Sequence, residues 1–400
     1  MNINTSITLP NGLTLKNRIV KAAMTERLSN SDYGPNEKHL QLYRTWSEGG
    51  AGLMITGNVM VDHRYMESAG NVAIEDERHL EVLKQWAAIG QEKGQHIWPQ
   101  LNHSGRQTSI LVNRKPVSAS DVHLKKLGLF AKPRPMSLQE VEELVKRFGT
   151  TAKVCQKAGF TGVQIHAAHG YLLSQFLSPL TNQRTDRYGG TLENRARLLL
   201  EVIREVRQAC GPAFGISVKI NSADFQRGGF TEEESLQVIQ MLNQEGVDLL
   251  EVSGGTYERV AFFEEGLRTS TLQREAFFLE FAKKAKAIAS MPLMLTGGFR
   301  TLAFANKVLS EGEVDVIGVA RPYLLYENFP KKWLQGKEEE AQTENTKVAF
   351  SALQDNAIAG YYNKQIELLS KGKPLNLRYS PLRAAFHLIK HELVKGMRKK

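Results

Sequence analysis

Eight short runs rich in Val, Ile and Leu recur along this chain, at residues 18–24, 52–57, 95–101, 162–166, 215–220, 248–253, 292–296 and 315–320. Longer segments with helical periodicity lie between them, at 36–48, 75–92, 137–157, 191–209, 231–244, 274–289 and 301–310. This alternation constrains the fold more than any other feature. Strands buried on both faces read as continuous apolar runs rather than as alternating ones. Eight strand-then-helix units predict an α/β fold of the (β/α)8 TIM-barrel type. The competing doubly wound sheet, in its dinucleotide-binding form, needs a glycine fingerprint after the first strand. Lys21-Ala22-Ala23-Met24-Thr25 stands there instead, without a glycine. The barrel is the better reading.

Three segments lie outside the repeat. Residues 6–15 carry Asn11-Gly12 between short apolar stretches, a hairpin signal that predicts a plug at the barrel's lower end. Residues 336–347 form a charged connector with Glu338-Glu339-Glu340, followed by a helical stretch at 347–370. Ser380-Pro381 then opens a last helix with Leu382, Ala385, Phe386, Ile389 and Leu393 on one stripe and Gly396 as its stop. The expected division is a barrel at 1–335 and a helical C-terminal extension at 336–400.

The net charge of +10 raises nucleic acid as a partner, and its distribution answers the question. Residues 371–400 hold nine Lys or Arg and one acid, Glu392, so the body of the chain is nearly neutral. A nucleic-acid-binding domain needs a basic face in its body. The basic last helix suits an anionic membrane surface, but docking on the barrel or on a second subunit is the favoured expectation. Residues 1–15 lack the basic start and apolar core of a secretion signal, and no apolar run reaches the length of a membrane span. Two cysteines, Cys155 and Cys210, cannot build a disulfide framework or an iron–sulfur cluster. A cytoplasmic protein is expected.

In a barrel, chemistry is carried where strands end on the C-terminal face. The fourth run exits through Gln164-Ile165-His166-Ala167-Ala168-His169-Gly170-Tyr171. Two imidazoles could converge as donors on one oxygen, and a phenol beside them could deliver a proton. The competing readings are a structural histidine or a metal site; His-x-x-His alone supplies only two ligands. The loops after the seventh and eighth runs begin Thr296-Gly297-Gly298 and Ala320-Arg321, where barrels commonly hold a phosphate. Lys219, near the end of the fifth run, is oddly placed for a surface lysine and on its own reads as an internal salt bridge.

His166-Ala-Ala-His169-Gly-Tyr171 continues through Asn182-Gln-Arg184-Thr-Asp186 to Gly189-Gly190-Thr-Leu-Glu-Asn194-Arg195, and this stretch resembles the signature of the old yellow enzyme family. The likeness extends to Asn17-Arg18-Ile19-Val20, Gln100-Leu-Asn-His-Ser-Gly-Arg106 and Val316-Ile-Gly-Val-Ala-Arg321, covering residues 4 to about 335. It implies bound FMN, with NADPH or NADH as hydride donor. It implies that Lys219 lies by the flavin N1 and O2, Gln100 by the pyrimidine edge and Thr25 by O4. Ala22, Ala23 and Met24 would line the ring, Gly57 would leave room above the second strand, and Gly297, Gly298, Ala320 and Arg321 would hold the phosphate. His166 and His169 would bind the substrate oxygen, and Tyr171 would give the proton.

This chain departs from the pattern in three places. Many relatives have proline where Ala23 stands, some have cysteine where Thr25 stands, and some carry an aromatic that helps shape the substrate site in the stretch that contains Arg27, so Arg27 is expected at the substrate site, where it changes which substrates fit. The larger relatives that reduce dienoyl-CoA esters add four clustered cysteines and a second nucleotide-binding domain, which this sequence lacks. Direct reduction by the nicotinamide is therefore expected, with an electron-poor alkene as substrate and homo-oligomers an open option. No group beyond Arg321 is assigned to the site. A dihydropyrimidine-type dehydrogenase would need a Ser or Cys base that finds no place here. A catalytically silent flavin barrel whose basic tail recruits a partner is the alternative of a different class.

Overall fold

Each of the eight apolar runs contains a strand in the computed structural model, which describes residues 1–125, 128–253, 278–326, 328–337 and 354–397. The strands are β1 (Ile19–Lys21), β2 (Leu53–Met60), β3 (His96–Asn102), β4 (Gly162–Ala167), β5 (Gly215–Asn221), β6 (Leu249–Ser253), β7 (Leu293–Thr296) and β8 (Val316–Val319). All pair in parallel with their neighbours, and Ile317 opposite Ile19 joins β8 back to β1. The ring is closed, a (β/α)8 barrel. Closure leaves no sheet edge, so every strand is covered on both sides and can be apolar throughout.

The helices are α1 (Glu37–Ser47), α2 (Leu80–Gln91), α3 (Leu138–Lys157), α4 (Leu192–Cys210), α5 (Glu232–Leu242), α6 (Leu279–Ile288) and α7 (Leu302–Ser310). Asn36, Ser137, Thr191, Thr231 and Thr301 cap five of them by accepting a backbone N–H. Each such cap is worth about 1 kcal/mol and fixes where a helix begins. Among the described residues the short turns Arg321–Leu324 and Lys331–Leu334 follow β8, and the extension helices are α8 (Gln354–Leu369) and α9 (Pro381–Met397). These two cross closely, because Gly360 has no Cβ to meet the Ala384 carbonyl, which would lie 2.0 Å away. The connector from 338 onward and the stretch 256–273, which the sequence reading leaves unassigned, lie outside the described residues.

The lower barrel is packed with Val20, Leu53, Trp98, Leu249, Met294 and Val316. Ile7–Thr8 and Thr14–Leu15 form the expected antiparallel hairpin, and its Leu9 and Leu15 join that cluster from below. Trp98 fits inside because β4 and β5 begin with glycines: a Cβ on Gly162 or Gly215 would come within 2.5 or 2.3 Å of its indole. The floor of the barrel is therefore filled by side chains, which leaves its C-terminal end for a ligand.

The family signature beyond Tyr171 proves structural. Asn182 donates to Phe176 O and Tyr188 O, each at 2.7 Å, and Arg184 donates to Met136 O at 2.6 Å. Arg195 reaches Leu177 O and pairs with Glu234 of α5. These bonds tie down the long loop between β4 and α4.

The last helix differs from its sequence reading. Leu382, Phe386, Ile389 and Leu393 are exposed, and of that stripe only Ala385 is buried. The docked side of α9 buries Ala384, Ala385 and Leu388 and is anchored by polar bonds as well. Glu392 accepts from Ser68 Oγ at 2.5 Å and from Ala69 N–H at 3.3 Å, and pairs with Arg27 Nε at 3.2 Å. Burial works against that charge, yet His391, Arg27 and Ser68 together hold the carboxyl below the usual carboxylate range.

Two buried histidines make stability depend on pH. Burial pushes His39 of α1 down to about 3 and His103, after β3, down to about 4. An unfolded histidine titrates near 6.5, so below that pH the unfolded chain takes up protons that the native chain refuses. Stability then rises with pH between about 4 and 6.5, each group contributing up to about 1.4 kcal/mol per pH unit. The thermal midpoint followed by circular dichroism should fall on going from pH 7 to pH 5; a flat profile would contradict the buried neutral state.

Candidate active site

A cavity of about 420 Å³, a size suited to a cofactor, opens at the C-terminal ends of the strands. Its walls bring together most of the sequence candidates: Ala23, Met24, Thr25 and Arg27 after β1, Gln100 in β3, His166, His169 and Tyr171 at the exit of β4, and Lys219 in β5. Gly297 and Gly298 after β7 and Ala320 and Arg321 after β8 complete them. Two candidates fall elsewhere. Ala22 belongs to the apolar interior below. Gly57 faces away, because its missing Cβ leaves space for Glu26, whose carboxylate would lie 2.1 Å from that atom. Glu26 accepts there from Gly57 N–H at 2.9 Å and from the Tyr43 hydroxyl.

Under the cavity runs a chain of polar side chains set by strand register, in which Lys219 stands opposite Glu251 and Gln100 opposite Gln164. Lys219 Nζ lies 2.8 Å from Glu251 Oε1, and Gln164 Nε2 donates to Glu251 Oε2 at 2.7 Å. Gln100 Nε2 donates in turn to Gln164 Oε1 at 2.7 Å. An ionised carboxylate can only accept, so Glu251 fixes how Gln164 faces and Gln164 fixes Gln100. Gln100 keeps its Oε1 and one N–H for the cavity. Lys219 is both an internal salt bridge and a cavity residue.

The two imidazoles form a relay of their own. His166 Nδ1 lies 3.1 Å from Asn58 Oδ1, and His166 Nε2 lies 3.0 Å from His169 Nδ1. Asn58 Nδ2 points to Glu67 Oε2 at 3.4 Å, which leaves its Oδ1 as an acceptor toward His166. His166 therefore carries its proton on Nδ1, and His169 Nδ1–H donates to His166 Nε2. His169 Nε2 is 3.0 Å from Ser253 Oγ and can accept from it. Burial, the neighbouring imidazole and Lys219 hold His166 well below the usual histidine range; burial and Lys219 do the same for His169. Both rings are neutral, and the one N–H of His169 is directed at His166 Nε2. The two donors expected to converge are one donor and one acceptor in this arrangement.

Backbone conformation aims these groups. His169 and Gly170 take φ of 60° and 72°, and His169 N–H donates to Asn221 Oδ1 at 3.0 Å. That turn carries the chain from β4 into Tyr171, whose ring centre lies 4.8 Å from that of His166.

Three parts of the wall were missed in the sequence. A register shift between Ile55 and Asn58 extends β2 past the expected end and turns Asn58 to the cavity. Glu67 lines the same side, pairing with Arg27 at 2.7 Å and accepting from Thr25 Oγ1 at 3.2 Å. Ile358, Ala359, Tyr362, Asn363 and Ile366 of α8 form a wall as well, so the extension does reach the site beyond Arg321.

These residues fit FMN on observations of their own. Thr296 Oγ1 is buried against the cavity with no hydrogen-bond partner among the described residues, and a bound polar group would satisfy it. Gly297 and Gly298 take φ of 113° and 87°, bringing bare backbone to the cavity where Arg321 supplies a guanidinium. Lys219 and Gln100 offer donors at the other end.

Together the barrel and this site define a flavin-dependent oxidoreductase. The model of the NADH:flavin oxidoreductase / NADH oxidase family matches residues 3–340. The chain is 38% identical over 323 residues to the NADH-dependent flavin oxidoreductase nadA of Aspergillus parasiticus, covering 77% of this chain and 72% of that one. It is 35% identical over 353 residues to the NADH-dependent flavin oxidoreductase iliE of Neonectria sp., covering 81% of this chain and 46% of that one. It thus spans about half the length of that relative. Among solved structures, the old yellow enzyme homologue from Zymomonas mobilis shares the fold, with a TM-score of 0.71 at 23% identity, over 84% of this chain and 93% of that one. The chain belongs to the NADH:flavin oxidoreductase / NADH oxidase family, the old yellow enzyme group, whose cofactor is FMN.

Replacing Arg321 should weaken FMN retention. A charge-assisted bond of about 1.5–3 kcal/mol would be lost in Arg321→Ala, roughly a ten- to hundredfold weaker dissociation constant. Fluorescence titration of the apoprotein with FMN reads this directly; unchanged affinity would remove Arg321 from the phosphate site.

Proposed function

We propose that this chain is an ene-reductase, which uses NADH or NADPH to reduce the activated C=C bond of α,β-unsaturated carbonyl or related compounds. The observation that carries the reading is the meeting of His169, His166 and Tyr171 with Lys219, Gln100 and Arg321 around one cavity. FMN, when bound, supplies the chemistry that moves hydride from the nicotinamide to the substrate's β-carbon.

The protein's own part is binding, polarisation and proton delivery. A substrate carbonyl oxygen replaces His166 Nε2 as acceptor of the His169 N–H. The imidazoles are already neutral and held at their outer nitrogens by Asn58 and Ser253, so the rearrangement needed is release of the His166–His169 hydrogen bond as negative charge grows on that oxygen. Tyr171, buried beside His166, gives its phenolic proton to the α-carbon and recovers it from solvent. The apolar α8 wall, with Ile358 and Ile366, excludes water from part of the cavity. Arg27 and Glu67, an ion pair on the opposite side in which Arg27 is shared with Glu392, favour a substrate with a polar substituent there over a purely apolar one.

Tyr171→Phe separates proton delivery from the rest. Reduction of the bound flavin by the nicotinamide should stay near the parent rate, while reoxidation by a simple enone slows about a hundred- to ten-thousand-fold. Reoxidation by a quinone, which needs no proton on carbon, should hardly change. Anaerobic stopped-flow measurement of both half-reactions checks this, and equal slowing with enone and quinone would show the phenol acting in binding instead.

A further inference from the structure

The outward side of α9 carries a line of apolar side chains. Leu382, Phe386, Ile389 and Leu393 are 48%, 60%, 37% and 44% exposed. Spacings of four, three and four residues set them in one row along the helix. Scattered exposed apolar residues need no explanation, but a continuous row rimmed by charge marks an interaction surface.

The rim is basic. Arg383 and Lys390 are exposed and lie seven residues apart on one flank of the row, and Lys373 and Arg378 are exposed on the approach to the helix. The one acid of this segment, Glu392, points to the barrel and is consumed by Arg27, Ser68 and Ala69. Turning that acid inward leaves the outward face with positive charge alone.

We propose that this face seats α9 in the plane of an anionic lipid surface, with the four apolar side chains in the acyl boundary and the basic rim on the headgroups. Charge decides among the occupants. A second copy of this chain would bring its own segment of nine basic residues and one acid against the first, and like charges would face each other. Anionic lipid supplies both what the row needs and what the rim needs. Among the described residues no helix is long and apolar enough to cross a membrane, so the contact lies on the surface. Arg27, which Glu392 holds, also lines the cavity, so the inward side of α9 is joined to the cavity wall. This inference stands independently of the substrate class proposed above.

The test is sedimentation of the full chain with phosphatidylcholine vesicles, with and without phosphatidylglycerol. The chain should bind only the anionic vesicles and be released as salt rises. Full-length Phe386→Glu/Ile389→Glu, changed at exposed positions and confirmed folded by an unaltered thermal midpoint, should lose about tenfold or more of that binding. Equal binding to neutral vesicles, no binding to either, or parental binding by the variant would each overturn the proposal. So would light scattering that shows a dimer in the parent and a monomer in the variant, since the face would then join two copies.

Discussion

A buried carboxylate organises the centre of this molecule. Glu251, wholly enclosed at the level where the barrel interior turns from apolar to polar, would be expensive to ionise there without partners. Lys219 supplies the opposite charge and Gln164 a donor, and both are held by the register of neighbouring strands. Because the carboxylate accepts and never donates, its presence sets the direction of every amide above it as far as Gln100. The cavity thus inherits a fixed pattern of donors and acceptors from a residue that does not line it. Burial, with Lys219 adding to it, keeps the histidine pair neutral, so the two relays are electrostatically coupled.

The architecture was readable because closed parallel barrels leave a plain trace, apolar runs at regular intervals, and because capping residues mark the helix starts. His166, His169, Tyr171, Lys219 and Arg321 were readable as polar residues at strand exits, where a buried polar group has a reason to be. Asn58 was not: a shift of register in β2 carries no local sequence signal, so the strand was ended three residues early, at Gly57. Glu67 lies in a loop that no periodicity places at the cavity it lines, beside Arg27 and Thr25. The α8 residues come from a segment whose helical pattern says nothing about which cavity it will cover. Gly57 was assigned by position, yet its lack of a side chain serves Glu26 instead.

The tail shows the same limit from another side. Its apolar stripe was legible, and the natural inference was that the stripe faces the protein. α9 is seated by Ala384, Ala385 and Leu388, which are buried, and by a single acid in a basic segment, bonded to Ser68, Ala69 and Arg27. Periodicity finds a helix face; it does not say whether apolar packing or a buried ion pair will hold that helix down.

The left-handed turn at His169 bears on how this site can change over evolutionary time. A backbone at φ 60° admits few side chains beyond glycine; asparagine, aspartate and histidine tolerate it best, and β-branched residues are nearly excluded. Of these, only asparagine shares with histidine a neutral N–H donor of similar reach. The chain geometry that places the proposed oxygen-binding residue therefore narrows its own successors: mutational drift at this position can exchange an imidazole for a carboxamide and keep an N–H donor, while most other single changes would have to rebuild the turn first.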